Sequence, residues 1–431
     1  MKRRSLQQLR IVCALVLVIF SMSLVLAEGV KEQEVVQKPS NSLTFLSYGA
    51  WRVHPGWDEM LKGFEAKYGA SVTIIYAPPA QIYNKLVTTL AAKSSELDVI
   101  VVDTMWMPSF VSAGFLSPLP EAQIKKEEFL KAAIEAYSKD GKMYAMPQFV
   151  VAGFTFYRTD LFEAAGLDPK KPPKNWADLL SYAQKLTIDK NKDGVPEQWG
   201  FGYCGLDIGA DFLEFMWQNG GNILDAQGNV VVNSPEVVEA LQFFVDLRNK
   251  YKVVPPSVIT DMPEDLRRGF TAGQIAMIRN WPYVWATSNA ADSPIKGKVA
   301  MIPNPGNKVP TATTFGAWGL AIPEYSQNKE LANKFVEYMT SYEGQRILFL
   351  SGGEMPSRKA VYDDPAVKAA QPMASVMLEA LMGAYNRPMV VENQEVLAIA
   401  GRAWQEALSA TKTPQKALDD AAAAIKSILK K

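Results

Sequence analysis

A single histidine, His54, and two cysteines, Cys13 and Cys204, serve a chain of 431 residues. Each scarcity excludes a class of chemistry. A hydrolase using imidazole as its base would have to rest on His54, and neither G-x-S-x-G nor H-E-x-x-H occurs. Two thiols cannot make a cysteine-based zinc site. Lys+Arg and Asp+Glu both number 45, so no basic surplus suggests nucleic acid. Nothing cradles phosphate in the Walker manner. Gly200–Gly205 matches the dinucleotide pattern G-x-G-x-x-G, but no convincing apolar strand precedes it and Leu206-Asp207-Ile208-Gly209 is a poor helix start. Ser326-Gln327-Asn328-Lys329 fits S-x-x-K only as a loop leading into a helix. A pair of carboxylates that meets in space, as in a glycoside hydrolase, stays open.

Long apolar runs are scarce too. The conspicuous one, Ile11 to Leu26, follows Lys2, Arg3, Arg4 and Arg10 and ends at Val25-Leu26-Ala27. That is the layout of a secretory signal over residues 1–27, cleaved after Ala27. The alternative, a retained anchor, asks for about 20 apolar residues, more than this run supplies. Cys13 lies inside the run and not just after a cleavage site, so no lipid-bearing N-terminal cysteine is expected. Residues 28–42 read as a flexible polar leader. Cys204 is then the one cysteine of the exported chain, which has core enough without disulfides.

What is abundant is aromatic: ten Trp, sixteen Tyr and nineteen Phe. Many fall at the ends of expected strands. Leu43–Ser47 is the first strand, followed by Trp51. Trp57, Met60, Leu61, Phe64 and Tyr68 recur at helical spacing until Gly69. Ser71–Tyr76 is the second strand, and Ile82, Leu86 and Leu90 mark the next helix. Leu97–Asp103 is almost continuously apolar, as in a parallel strand buried on both faces. The opening is thus β-α-β-α-β, an α/β layout. Ligands in such sheets sit beyond the carboxyl ends of the strands, where Trp51, Asp103 and Trp106 fall. The bland alternative for Asp103 is a helix N-cap.

Val150 to Tyr157 reads as one apolar, aromatic strand, after which the pattern restarts as a second α/β unit. Asp189-Lys190-Asn191-Lys192-Asp193-Gly194 spaces oxygen ligands as a calcium loop does, although its twelfth position is Gly200 instead of Glu; an Asx-turn loop is the competing reading. Arg279-Asn280-Trp281-Pro282-Tyr283-Val284-Trp285 is the densest aromatic cluster, at the end of the short strand Ile275–Ile278. Phe315–Pro323 holds Trp318 among small residues, where it either fills a core pocket or projects into a cleft. Trp176 and Trp404 lie on helical stripes and read as packing residues. Helices are expected over Met373–Gly383, Glu395–Ala410 and Thr413–Leu429, with the loop Tyr385-Asn386-Arg387-Pro388 between the first two. Aromatic rings beside polar groups suit sugars, whose C–H faces stack while their hydroxyls need donors and acceptors.

With these residues in view, the chain from about Leu43 onward resembles the extracellular solute-binding proteins of sugar ABC importers, family 1. The resemblance rests on Leu97–Asp103 with Ala113-Gly114-Phe115-Leu116, Phe156–Phe162, Asn219–Asp225, Asn280-Trp281-Pro282, Trp318–Pro323 and Glu354–Tyr362, in that order and spacing. It implies an α/β, two-lobe periplasmic-binding-protein fold of type II-like form, with a hinge and an interlobe ligand cleft. Lobe one would be 43–149 plus 303–348, and lobe two 150–302 plus 349–431. The family's ligand positions would fall on Trp51, Asp103, Phe149, Trp217, Trp281, Tyr283, Trp318 and Arg387. Val151 stands where many relatives have an Asp, and Gly316-Ala317-Trp318 where many have Gly-Gly-Trp.

The resemblance implies an exported, monomeric, non-enzymatic protein, periplasmic or extracellular, that captures a disaccharide or oligosaccharide and hands it to the transmembrane subunits of an ABC permease. No cofactor is required, with structural calcium at Asp189–Asp193 as the one candidate ion. The competing readings are a binder of glycerol-phosphate or a polyamine on the same fold, and an exported carbohydrate-active enzyme.

Overall fold

The computed structural model describes residues 41–121, 124–206 and 210–430. The expected signal segment and nearly all of the expected leader lie outside the described residues. Among those described, no helix is long and apolar enough to cross a membrane.

The first three strands form as expected: β1 (Ser42–Tyr48), β2 (Ser71–Ala77) and β3 (Val99–Asp103). β1 runs parallel to both β2 and β3. Val99 to Val102 are wholly buried, which explains the unbroken apolar run. The helix Pro55–Tyr68 lays Trp57, Met60, Leu61 and Phe64 onto the sheet and ends at Gly69, whose φ of 59° is the left-handed cap glycine favours. A small hairpin, β4 (Ser138–Lys139) with β5 (Lys142–Met143), precedes β6 (Ala145–Val151) and β7 (Phe154–Arg158).

The single strand expected over Val150–Tyr157 is therefore two strands, and the reason is topological. β6 belongs to a six-stranded sheet of order β12 (Met355–Pro356), β6, β11 (Gly316–Ala321), β3, β1, β2, while β7 is the centre of a three-stranded antiparallel sheet between β8 (Met277–Asn280) and β9 (Val299–Ile302). Ala152-Gly153 carries the chain from one sheet to the other. The chain then returns through Asn304 and β10 (Thr313–Thr314) to β11 (Gly316–Ala321), which inserts antiparallel between β3 and β6. β12 (Met355–Pro356) joins the same sheet beside β6, and β13 (Ala384–Tyr385) pairs with β10. The three late helices are Ala374–Met382, Asn393–Leu408 and Pro414–Ile428.

One buried ionic cluster spans both passages between the sheets. Glu214 accepts from Arg279 at 2.5 and 2.8 Å, from Asn304 at 2.7 Å, and from the Thr314 N–H at 2.9 Å. Arg279 also meets Asp211 at 2.8 Å. The Gly153 N–H donates to the Thr313 hydroxyl at 2.7 Å. A Cβ at Gly153 would lie 2.2 Å from Arg279 Nη2 and 2.5 Å from Glu214 Oε1, so glycine is required there. Charges this buried persist only when paired and hydrogen-bonded, as these are.

The calcium reading finds no support. Asp189 accepts the N–H groups of Lys192 and Gly194, and Asp193 accepts that of Val195 and the Asn191 amide. The segment is a set of Asx turns whose carboxylates serve its own backbone. Among the described residues no group of three or more His, Cys, Asp or Glu is placed to hold a metal ion.

Candidate functional site

Strand register assembles the site. Trp318 on β11 lies directly opposite Asp103 on β3 and Phe149 on β6, and Phe149 lies opposite Pro356 on β12. Directly opposite residues share a face, so these four form one row where β3 and β6 end. Gly316 and Gly319 permit the packing around Trp318: a Cβ would come within 2.7 Å of Val151 at the first and of the Tyr137 ring at the second.

Trp318 is half-buried. Its ring meets Tyr48 at 4.9 Å and stands edge-on to Trp106 at 5.3 Å. Trp106 in turn meets Tyr83 at 5.4 Å. The result is an aromatic wall along the strand ends. Trp106 and Tyr83 follow the ends of β3 and β2, where the strand-end rule expects a ligand, and Tyr48, the last residue of β1, is the part of the wall that the sequence does not single out. Trp51 is only 2% exposed. It stacks on Trp57 at 4.2 Å and stands edge-on to Phe149 at 5.7 Å, so it backs the wall and offers no open face. Trp217 is likewise 2% exposed and stacks at 5.4 Å on Tyr385, a half-exposed ring. Those two positions serve as supports in this structure and do not face open space.

Asp103 Oδ1 accepts the Met105 N–H at 2.8 Å, so the capping role and the strand-end position coexist. Oδ2 makes no hydrogen bond among the described residues. Burial raises the Asp103 pKa; the Met105 N–H, the Arg387 charge and the Thr104 hydroxyl hold the rise back. Arg387 donates to the Phe315 carbonyl at 3.2 Å, next to the Trp318 strand. Its segment is fixed by Asn386 donating to Ala132 O at 3.0 Å and Asn393 donating to Met105 O at 2.7 Å. An acceptor and a cation, 284 positions apart in sequence, thus flank one aromatic row.

Trp281 and Tyr283 follow β8. The Arg279 guanidinium of the buried cluster lies 4.2 Å from the Trp281 ring centroid, a cation–π contact that fixes the ring. Tyr283 is 38% exposed, and burial, ahead of the neighbouring Glu264 charge, pushes its pKa up to about 12. It opens the helix Tyr283–Ser288, which faces β6 across a cavity of about 460 Å³. Phe149 and Glu354 line one side, Tyr283 and Trp285 the other. That volume falls in the range of ligand sites. Phe149 and Tyr283 are thereby brought to one space, and Phe149 joins it to the Asp103–Trp318 row. In the sequence Glu354 stands out only as the first residue of the segment Glu354–Tyr362. It is a carboxyl just ahead of β12 whose pKa burial raises to about 8, and the Trp51 indole N–H opposes the rise.

Residues 50–346 match the family described as bacterial extracellular solute-binding protein. A Deinococcus radiodurans protein described as "Probable ABC transporter-binding protein" is 32% identical over 364 residues, covering 80% of this chain and 84% of that one. The arabinooligosaccharide-binding protein of Bacillus subtilis is 26% identical over 371 residues, covering 83% and 82%. Among solved structures, maltose-bound MalE3 of T. maritima aligns with a TM-score of 0.75 at 35% identity, over 90% of this chain and 99% of that one.

Proposed function

This chain belongs to the bacterial extracellular solute-binding proteins, and we propose that it captures a disaccharide or oligosaccharide outside the cytoplasm and delivers it to the membrane subunits of an ABC importer. The observation that carries the reading is the row Asp103–Trp318–Phe149, with Arg387 beside it and Tyr283 and Trp285 across the cavity. Stacking surfaces with a few fixed polar groups suit a neutral polyhydroxylated ligand. The fold is the two-lobe α/β form of the maltose-binding proteins, and the similarity of the chain to MalE3 and to an arabinooligosaccharide binder supports a carbohydrate. The family binds and presents solutes, so no covalent chemistry is assigned to the site.

The two sheets support two lobes, 43–149 with 303–348 and 150–302 with 349–431 in outline. Pairing of β12 with β6 favours drawing the last crossing after residue 356. Closure on the ligand would turn about Gly153 and Asn304–Thr313. Export through residues 1–27, without a lipid anchor, completes the reading.

Isothermal titration with neutral mono-, di- and oligosaccharides is the test, with a polyol phosphate and a polyamine as controls. Binding of at least one di- or oligosaccharide is expected. Heat from the phosphate or the polyamine with none from any sugar would overturn the carbohydrate assignment.

A further inference from the structure

We propose that Glu354 is a ligand-recognition residue whose carboxyl, lining the cavity between β6 and the Tyr283–Ser288 helix, hydrogen-bonds a hydroxyl of the bound carbohydrate. This rests on the carbohydrate reading above and adds a specificity group that neither the sequence nor the strand-end pattern supplies.

The helix Tyr342–Gly352 ends at Gly353, whose φ of 76° turns the chain sharply. Met355 and Pro356 are then pinned opposite Val150 and Phe149. Glu354 sits between two fixed points, beside Phe149, and lines the same cavity as Tyr283 and Trp285. A group held this way needs little ordering when a ligand arrives.

Glu354 Oε2 is closed off from solvent, and neither it nor the nearby Trp51 indole N–H is paired at normal hydrogen-bond geometry. The indole N–H still lies close enough to oppose the rise in the carboxyl's pKa, so it is a long, weak donor to this group. Buried polar atoms in folded proteins are nearly always well paired, so a carboxyl answered this weakly points to a further partner that comes with the ligand. No cation answers it from within. The elements packed around it contribute Tyr48 and Trp51 from the end of β1, Phe149 from β6, and Tyr283 and Trp285 from the facing helix. His54 lies against Gly352, and burial lowers its pKa. Asp103, the other carboxyl nearby, acts with Glu354 on Tyr48, raising that phenol's pKa after burial itself.

With a pKa of about 8 the carboxyl is neutral at pH 7, so it donates its O–H to one ligand oxygen and accepts through its carbonyl oxygen. A ligand closing the cavity removes the remaining water and strengthens the hold on that proton. Binding above pH 8 must then take up a proton, and affinity falls as pH rises. Tyr283, at about 12, does not titrate in that window.

The test uses the full exported chain and whichever sugar of the panel binds most tightly, titrated about one unit below and one above pH 8. Glu354→Ala should weaken binding about tenfold or more, while Glu354→Gln, which keeps a donor and an acceptor, stays within about threefold. Wild type should bind more weakly at the higher pH, and the Gln variant should not. Wild-type affinity in the Ala variant overturns the proposal. So does a pH dependence that survives in the Gln variant, and that arm decides the matter if the Ala protein fails to fold. Absence of binding by any sugar to the wild-type protein is a separate outcome, which removes the carbohydrate reading itself.

Discussion

Replacing Trp318 by alanine separates a cleft wall from a core. The ring is half-buried and meets two neighbours, Tyr48 at 4.9 Å and Trp106 at 5.3 Å. Aromatic pairs contribute about 0.5–1.5 kcal/mol each beyond area burial, so the unliganded protein should lose about 1–3 kcal/mol. At about 2–4 °C per kcal/mol for a large domain, Tm falls by several degrees and the protein stays folded at assay temperature. A ring that stacks on a sugar behaves as a binding hot spot worth about 2 kcal/mol or more, roughly thirtyfold in Kd. Trp51→Ala is the control. That ring is 2% exposed among Trp57, Tyr48 and Phe149, and its loss should cost about 3–5 kcal/mol of stability. Thermal melts of both unliganded variants, followed by calorimetric titration, give the comparison. If Trp318→Ala melts as low as Trp51→Ala and still binds sugar normally, Trp318 is core and the wall is misassigned.

Further outcomes follow from the same geometry. Asp103→Asn should weaken sugar binding about 10–100-fold, the range for hydrogen bonds to a charged group, with little loss of Tm because burial already disfavours the carboxylate; unchanged Kd would remove Asp103 from the site. Gly153→Ala pushes a methyl group into the Arg279–Glu214 pair and should cost about 3–5 kcal/mol, seen as a large drop in Tm; an unchanged melt would mean the cluster yields freely. The folded state binds the Glu354 proton more tightly than the unfolded state does, so this group's contribution to stability is fully present below pH 4.5 and is lost as pH rises towards about 8. The decline is on the order of a few kcal/mol. Glu354→Gln should flatten it in pH-dependent denaturant melts, and an identical slope in both proteins would show that Glu354 titrates normally.

The parts of the fold legible in the sequence were those set by local pattern. β1, β2 and β3 fall within a residue or two of their expected places: β3 because burial on both faces leaves an unbroken apolar run, β1 and the edge strand β2 because short β-branched and aromatic runs are bounded by turn residues. The late helices do too, because Pro414 and the apolar stripes mark them. What depended on distant partners was not legible. Val150 to Tyr157 is apolar and aromatic on both sides of Ala152-Gly153 apart from Thr155, and only the change of sheet divides it. Trp51, Trp217 and Trp318 look alike in sequence; which ring keeps an open face is decided by Trp57, Tyr385 and Tyr48, which pack on them. Glu354 resembles any loop carboxylate until β12 pairs with β6 some 200 positions earlier. The Asp189–Asp193 loop spaces its carboxylates as an ion site would, but backbone N–H groups take the same oxygens.

The place of β11 has a consequence for how the molecule comes to exist. Its six residues lie in the middle of the larger sheet, between β3 and β6, yet they number 316–321. While the chain is being made, β3 and β6 have no neighbour on that side until residue 321 has emerged. Most of the polypeptide must therefore be present before the sheet can close. Loop-closure entropy over such separations slows this kind of pairing relative to local contacts. The exposed edges of β3 and β6 are the stretch most open to mispairing, and the most useful for a chaperone to hold, until the strand carrying Trp318 arrives.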